Sequence, residues 1–158
     1  MANQTDPVDP LRLAFVCVEH AGRSQIAAAI AETQVRIQDR TDIEILSGGT
    51  DPAEEIYPAV IDVMQEKGYD LSTRTPTRIS WETLEECDVV ALMGCSLSAD
   101  DLPVGVVVRD WGFIDPADAD AESVWAISTE IEQRVIELIA DLPTEAERRK
   151  QTYQDGIQ

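Results

Sequence analysis

FVCVEHAGRSQIAAAIAE, residues 15–32, runs from an apolar segment into a cysteine, across a tight turn to Arg23 and Ser24, and on into a helical pattern. The segment before it completes an unbroken apolar run, LRLAFVCV (11–18), of the kind a parallel strand shows when both sheet faces are covered. After the turn, Ile26, Ala27, Ile30, Ala31, Val35 and Ile37 recur at helical spacing, which predicts a helix over 22–38. A short turn between strand and helix curls so that successive peptide N–H groups point inward and form an anion nest, here from Val18, Glu19, His20, Ala21, Gly22 and Arg23. The helix adds its positive end, and Arg23 adds a planar fork suited to two oxygens of a tetrahedral oxyanion. That setting favours the thiolate of Cys17, and the Ser24 hydroxyl is placed to donate to it. Ala21 and Gly22 leave the backbone free to approach a ligand. His20 is expected to hold the curl of the turn rather than take part in chemistry. Without the strand before it and the helix after it, the same pattern reads as a buried structural cysteine and a surface arginine.

Outward from this stretch, strands and helices alternate. DIEILSGGT (42–50) reads as a strand ending in a Gly-Gly turn. Residues 52–67 read as a helix with Ile56, Val60, Val63 and Met64 on one face and Gly68 as its stop. Residues 69–80 are irregular, 80–87 a short helix capped by Ser80, and 88–94 and 104–110 two more buried strands. Residues 122–142 form a long helix with Val124, Ile127, Ile131, Val135, Leu138 and Ile139 inward. The expected organisation is a disordered lead (1–10), one α/β domain (11–142) and a polar, frayed tail (143–158). Its fold is a small doubly wound domain: a four-stranded parallel sheet with helices on both faces. In such sheets ligands bind outside the carboxyl ends of the strands, where Cys17, Ser47-Gly48-Gly49, Cys95 and Asp110 would gather.

The chain has 158 residues and carries 12 Lys+Arg against 31 Asp+Glu, a net charge of −19. A field of that sign repels nucleic acid and anionic membranes, so neither is expected as a partner. An anion site in such a chain needs strong local attraction or high salt, which shortens the Debye length to about 3 Å at 1 M. Strong acidity with few lysines suggests a halophile. The three cysteines, Cys17, Cys87 and Cys95, form no disulfide framework. With one histidine, no structural metal site is expected. The start, MANQTDPVDP, resembles neither a signal peptide nor a membrane span, so the expected location is the cytoplasm.

CVEHAGRSQIAAAIAE resembles the signature loop of the low-molecular-weight protein tyrosine phosphatase family, in particular its arsenate reductase branch. SGGTDPAEEIYPAVIDVMQEKGYDLS, CDVVALMGCS and RDWGFIDPAD resemble the family's second strand and helix, its third strand and its general-acid loop. The resemblance implies Cys17 as nucleophile, the 18–23 backbone with Arg23 as oxyanion cradle, and Asp115 as acid. There are two departures. His20 stands where the family usually has Asn, and SLSADDLP after Cys95 lacks the further cysteine of the thioredoxin-coupled enzymes.

DWGFIDPAD offers Asp110, Asp115, Asp118 and Asp120. Asp115 precedes Pro116, which biases it to extended backbone and suits it to reach into the site. Asp110 ends a strand and would position the loop. Trp111 and Phe113 are candidates for either pocket wall or core. Cys87 and Cys95 flank one strand, so only Cys95 shares an edge with Cys17, as a candidate redox relay or an apolar filler. The main reading is arsenate reduction through a thiol–arsenate adduct on Cys17. No bound cofactor is expected; a second thiol, Cys95 or a small cytosolic thiol, would attack the Cys17 sulfur, and an external reductant, a small thiol or a thioredoxin- or glutaredoxin-like protein, would restore the enzyme. The alternative is hydrolysis of phosphate monoesters, phosphorylated protein included, through a phosphocysteine. A non-catalytic oxyanion sensor is a third reading. In each, the ligand is a small oxyanion (arsenate or phosphate) or a phosphorylated group.

Overall fold

The computed structural model describes residues 9–157, with side chains through 151. Its elements are β1 (Leu11–Cys17), α1 (Arg23–Ile37), β2 (Ile43–Gly49), α2 (Pro58–Glu66), α3 (Trp81–Glu85), β3 (Val89–Leu92), β4 (Val107–Asp110), α4 (Ala121–Asp141) and α5 (Glu145–Ile157). The strands form one parallel four-stranded sheet in the order β2-β1-β3-β4. Cys17 pairs with Gly49, Val16 with Leu92, and Leu92 with Asp110. This register brings the carboxyl ends of all four strands to one edge, and the strand order reverses between β1 and β3, where such sheets open a ligand crevice.

Alternation along β1 sorts the two cores. Leu11, Leu13, Phe15 and Cys17 join the larger cluster, which α1, α2 and α4 cover with Ile26, Ile30, Val60, Met64, Ile131 and Ile139. Ala14 and Val16 face the smaller cluster, closed by Leu84 of α3 and by Leu102. Every inward residue expected of α4 is buried. Ser80 caps α3, accepting from Thr83 N at 3.1 Å, and Gly68 ends the α2 region with φ +98°.

Several expectations differ from the structure, among them the Gly48-Gly49 turn, which is paired strand. The second helix starts at Pro58, not 52, because the N–H groups of Thr50, Asp51, Ala53 and Tyr57 donate to carbonyls of the 17–21 turn instead of a helix ladder. Ile37, placed among the apolar positions of the first helix, is 68% exposed at its last residue. The last strand is not buried: β4 is an edge strand and Val107 is exposed. The tail is polar as expected but helical over Glu145–Ile157. Thr144 Oγ1 accepts from Glu147 N at 3.1 Å, and Arg148 Nη1 reaches Asp42 Oδ2 at 2.8 Å. Asp42 also holds Arg40, whose guanidinium donates to the carbonyls of Ile139, Leu142 and Pro143. Of the expected disordered lead, residues 1–8 lie outside the described residues, and residues 9 and 10 have no regular structure. Among the described residues no helix is long and apolar enough to cross a membrane.

Candidate active site

The turn after β1 is anchored from outside. The carbonyls of Cys17, Val18, Glu19 and Ala21 accept from Thr50 N (3.0 Å), Asp51 N (2.8 Å), Ala53 N (2.9 Å) and Tyr57 N (3.1 Å). The carbonyl of His20 accepts from the Gln25 side-chain amide at 3.1 Å, and that of Gly22 from Ile26 N at 2.9 Å. In a planar trans peptide the following N–H points opposite to the carbonyl, and the described residues hold no cis peptide. The N–H groups of Val18, Glu19, His20 and Gly22 are therefore turned away from the 50–57 segment. His20 N donates to Cys17 Sγ at 3.3 Å, and Ser24 Oγ lies 2.8 Å from the same sulfur. Cys17 is 2% exposed. The first turn of α1 starts at Arg23 without a side-chain cap, so its N–H groups add to the same positive region.

Arg23 is buried, with Nη1 donating to Phe113 O at 3.2 Å and Nη2 lying 3.6 Å from Asp115 Oδ2. Asp115 stays half exposed while its Oδ1 accepts from Ala117 N at 3.1 Å. Gly94, immediately beyond β3, has φ +84°, and a Cβ there would stand 2.2 Å from Arg23 Nη1. A Cβ on Gly49 would stand 2.4 Å from Val18 O, and one on Gly22 2.6 Å from Pro116 Cγ and 3.2 Å from Tyr57 Cε2. Glycine at these positions lets β2, the loop after β3 and the Asp115–Pro116 loop close on the turn.

The His20 ring is buried, in a network with Ser47, Thr77 and Gln25. Burial, helped by the positive charge of Arg74, lowers its pKa to about 4.

The other candidates separate by position. Asp110 ends β4, and Asp120 caps α4 by accepting from Ser123 N at 2.8 Å. Asp118 lines, with Asp115, Ile114 and Glu130, an open depression beside the Arg23–Asp115 pair. Trp111 is core, packed on Phe15 with ring centres 6.1 Å apart, and Phe113 meets its edge at 6.0 Å. Cys95, three residues beyond β3, is half-buried against the smaller core cluster, whereas Cys17 belongs to the larger one. Burial raises the pKa of its thiol, against a smaller lowering from the Leu97 backbone. Cys87, at the other end of β3, has its thiol pushed up to about 11 by burial and by Asp88. Among the described residues no group of His, Cys, Asp or Glu is arranged to hold a metal ion.

A buried cysteine that accepts a peptide N–H at a strand–turn–helix junction, with a buried arginine paired to an aspartate, sits on a four-stranded parallel sheet of phosphatase type. Residues 12–149 match the low molecular weight phosphotyrosine protein phosphatase family, and the chain belongs to it. Within that family, a Halobacterium salinarum protein named "Putative arsenate reductase" is 48% identical over 128 residues, covering 80% of this chain and 89% of that protein. A "Glutaredoxin arsenate reductase" of Synechocystis is 28% identical over 133 residues, 83% of this chain and 98% of that protein. A solved structure described as an arsenate reductase in the phosphate binding state superposes with a TM-score of 0.72 at 27% identity, covering 82% of this chain and 97% of that one.

Whereas Gly49 stands at the edge where the sequence placed it, Gly94, Tyr57, Pro116, Gln25 and Thr77 are neighbours of the site that the sequence did not announce. Each acts through a contact with a residue distant in the chain, and only the helical offset of Gln25 from His20 carried a local signal.

Proposed function

We propose that this chain is an arsenate reductase in which Cys17 is the nucleophile. The observation that carries the chemistry is the sulfur of Cys17 held at 3.3 Å from His20 N and 2.8 Å from Ser24 Oγ, inside a turn whose carbonyls are all engaged elsewhere. Peptide donors fixed in this way bind a tetrahedral oxyanion without reorganising, and the Arg23 fork takes two of its oxygens. Cys17 Sγ attacks arsenic, and one oxygen leaves as water after taking a proton from Asp115. A second thiol then attacks Cys17 Sγ. The S–As electron pair departs with arsenic as arsenite, and the two sulfurs, each oxidised by one electron, remain as a disulfide. The choice of arsenate over phosphate esters rests on the Halobacterium relative.

The second thiol is external. Cys95 packs against the smaller core cluster and Cys17 in the larger one, and a small thiol or a thioredoxin- or glutaredoxin-like protein fits the need better. The name of the Synechocystis relative points the same way. The acidic depression at Asp118 and Glu130 favours a small inorganic oxyanion over an acidic phosphopeptide. The net charge of −19 and the Halobacterium relative fit a salt-rich cytoplasm. Hydrolysis of phosphate monoesters is the second reading, favoured by the Asp115 carboxylate beside Arg23 and by the family description.

The test is a comparison of arsenate reduction with added thiol and p-nitrophenyl phosphate hydrolysis, each at high and low salt. Arsenite formation that outpaces ester cleavage supports the main reading; ester cleavage without arsenite formation supports the second.

A further inference from the structure

We propose that His20 is a positioning residue whose ring, held as the Nε2–H tautomer between Ser47 and Thr77, latches the nucleophile turn in its oxyanion-binding curl, and that protonation of the ring opens the latch. The tautomer follows from the partners. Thr77 N lies 2.8 Å from Nδ1, and a backbone N–H only donates, so Nδ1 is the acceptor. The ring proton therefore sits on Nε2 and is donated to Ser47 Oγ at 2.9 Å. His20 has φ +52°, a left-handed conformation that residues with a Cβ rarely adopt. The ring contacts, with Gln25 Nε2 donating to His20 O at 3.1 Å, hold the residue there. That same conformation is what points His20 N at Cys17 Sγ.

The latch is tied to the sheet edge on its other side. Gly49 N donates to Thr77 O at 2.9 Å and Ile79 N to Gly49 O at 3.1 Å, while Gly49 is the register partner of Cys17. A second ring proton would occupy Nδ1 and face the Thr77 N–H, donor against donor. That contact must then open. The groups facing the ring are uncharged: Gln25 from α1, Ser47 from β2 and Thr77 from the 69–80 segment. The charged group acting on it from that segment is Arg74, paired with Glu32 of α1. Burial and Arg74 keep the ring neutral in the ordinary working range of an enzyme. The expectation for sulfate binding rests on the cradle reading above; the tautomer does not.

His20 is the chain's only histidine, so nitrogen-15 NMR reads its tautomer and titration directly in the intact protein. The expected result is the Nε2–H form, with a midpoint far below the ordinary 6.5. Sulfate binding, with a probe charge that stays constant over the range, is then measured in Cys17→Ser, which removes the thiol titration. Affinity should fall as pH approaches the histidine midpoint, and that step should be missing when His20→Asn is added. At neutral pH His20→Ala should weaken sulfate about 100-fold, the order expected for donors displaced by 1 Å, and His20→Asn should recover most of that loss. An Nδ1–H ring, titration near 6.5, a step that persists with His20→Asn, or equal weakness of Asn and Ala would each overturn the latch. If His20→Ala does not fold, the NMR result and the Asn variant decide. Absence of sulfate binding in Cys17→Ser at neutral pH overturns the cradle and, with it, the latch as an oxyanion-binding device.

Discussion

Gly94→Ala tests the clamp on Arg23 with the smallest perturbation available. The added Cβ would stand 2.2 Å from Nη1 and 3.3 Å from Cζ of Arg23. Ordinary contact between such atoms begins near 3.5 Å, so the guanidinium must retreat by about 1 Å. It has little freedom to do so, being 6% exposed and bonded to Phe113 O at 3.2 Å. A misplacement of about 1 Å costs roughly 100-fold in rate. The backbone cost is smaller: φ +84° carries a penalty of about 1–2 kcal/mol for a residue with a Cβ, a loss of roughly 5 °C in Tm. The signature is therefore an activity loss far beyond the stability loss. Phosphate inhibition should weaken in parallel, because the displaced group is the oxyanion fork. Steady-state arsenate reduction, phosphate inhibition and a thermal melt read all three. Gly49→Ala is the control, since its Cβ would press on a backbone atom, Val18 O at 2.4 Å, and should depress stability and activity together. Wild-type kinetics in Gly94→Ala, with Tm lowered by the backbone term alone, would refute the claim that Gly94 positions Arg23.

Arg23→Lys should weaken phosphate inhibition by at least tenfold, because a point charge replaces a two-pronged fork; an unchanged inhibition constant would place the cradle elsewhere. Asp115→Asn should slow ester cleavage most for poor leaving groups, by about 10²–10⁴, as read from a leaving-group series; the same pattern in Asp110→Asn instead would reassign the acid. Asp42→Asn should cost about 2 kcal/mol by removing charged hydrogen bonds to Arg40 and Arg148, with faster amide exchange over 145–150. Burial works to raise the Asp42 pKa, but those arginines hold it at about 2, below its ordinary value of 3.8. Its contribution is thus complete above 3.8 and is lost as pH falls through about 2, which an acid unfolding series of wild type against the variant measures.

The local grammar of the chain carried the sheet and the nucleophile turn. Cys17, Arg23 and Ser24 sit within one strand–turn–helix unit, so their proximity follows from spacing alone. Parallel pairing then puts Gly49 and Asp110 at the same edge. Tertiary closure was illegible in the same string. Gly48 and Gly49 read as a turn, yet both are paired strand residues, kept small by Ile79 and by Val18 O. Gly94 shows its role only once Arg23 crosses to it from the other side of the crevice. The segment before Pro58 has helical composition but donates its N–H groups to the nucleophile turn, a tertiary contact that overrides propensity. α5 has no apolar stripe to announce it, and a cap at Thr144 with the Arg148–Asp42 pair anchors its start.

Mass mapping of the thiols after a single turnover tests the assignment of Cys17 most directly. The protein is given arsenate and a small thiol in amounts limited to one cycle, arsenite is counted, and peptides carrying Cys17, Cys87 and Cys95 are weighed. The account predicts one arsenite per chain, a mixed disulfide between Cys17 and the small thiol, and unmodified Cys87 and Cys95, with neither product in Cys17→Ser. Arsenite formed by Cys17→Ser, or a thiol adduct on another cysteine with Cys17 untouched, would contradict it.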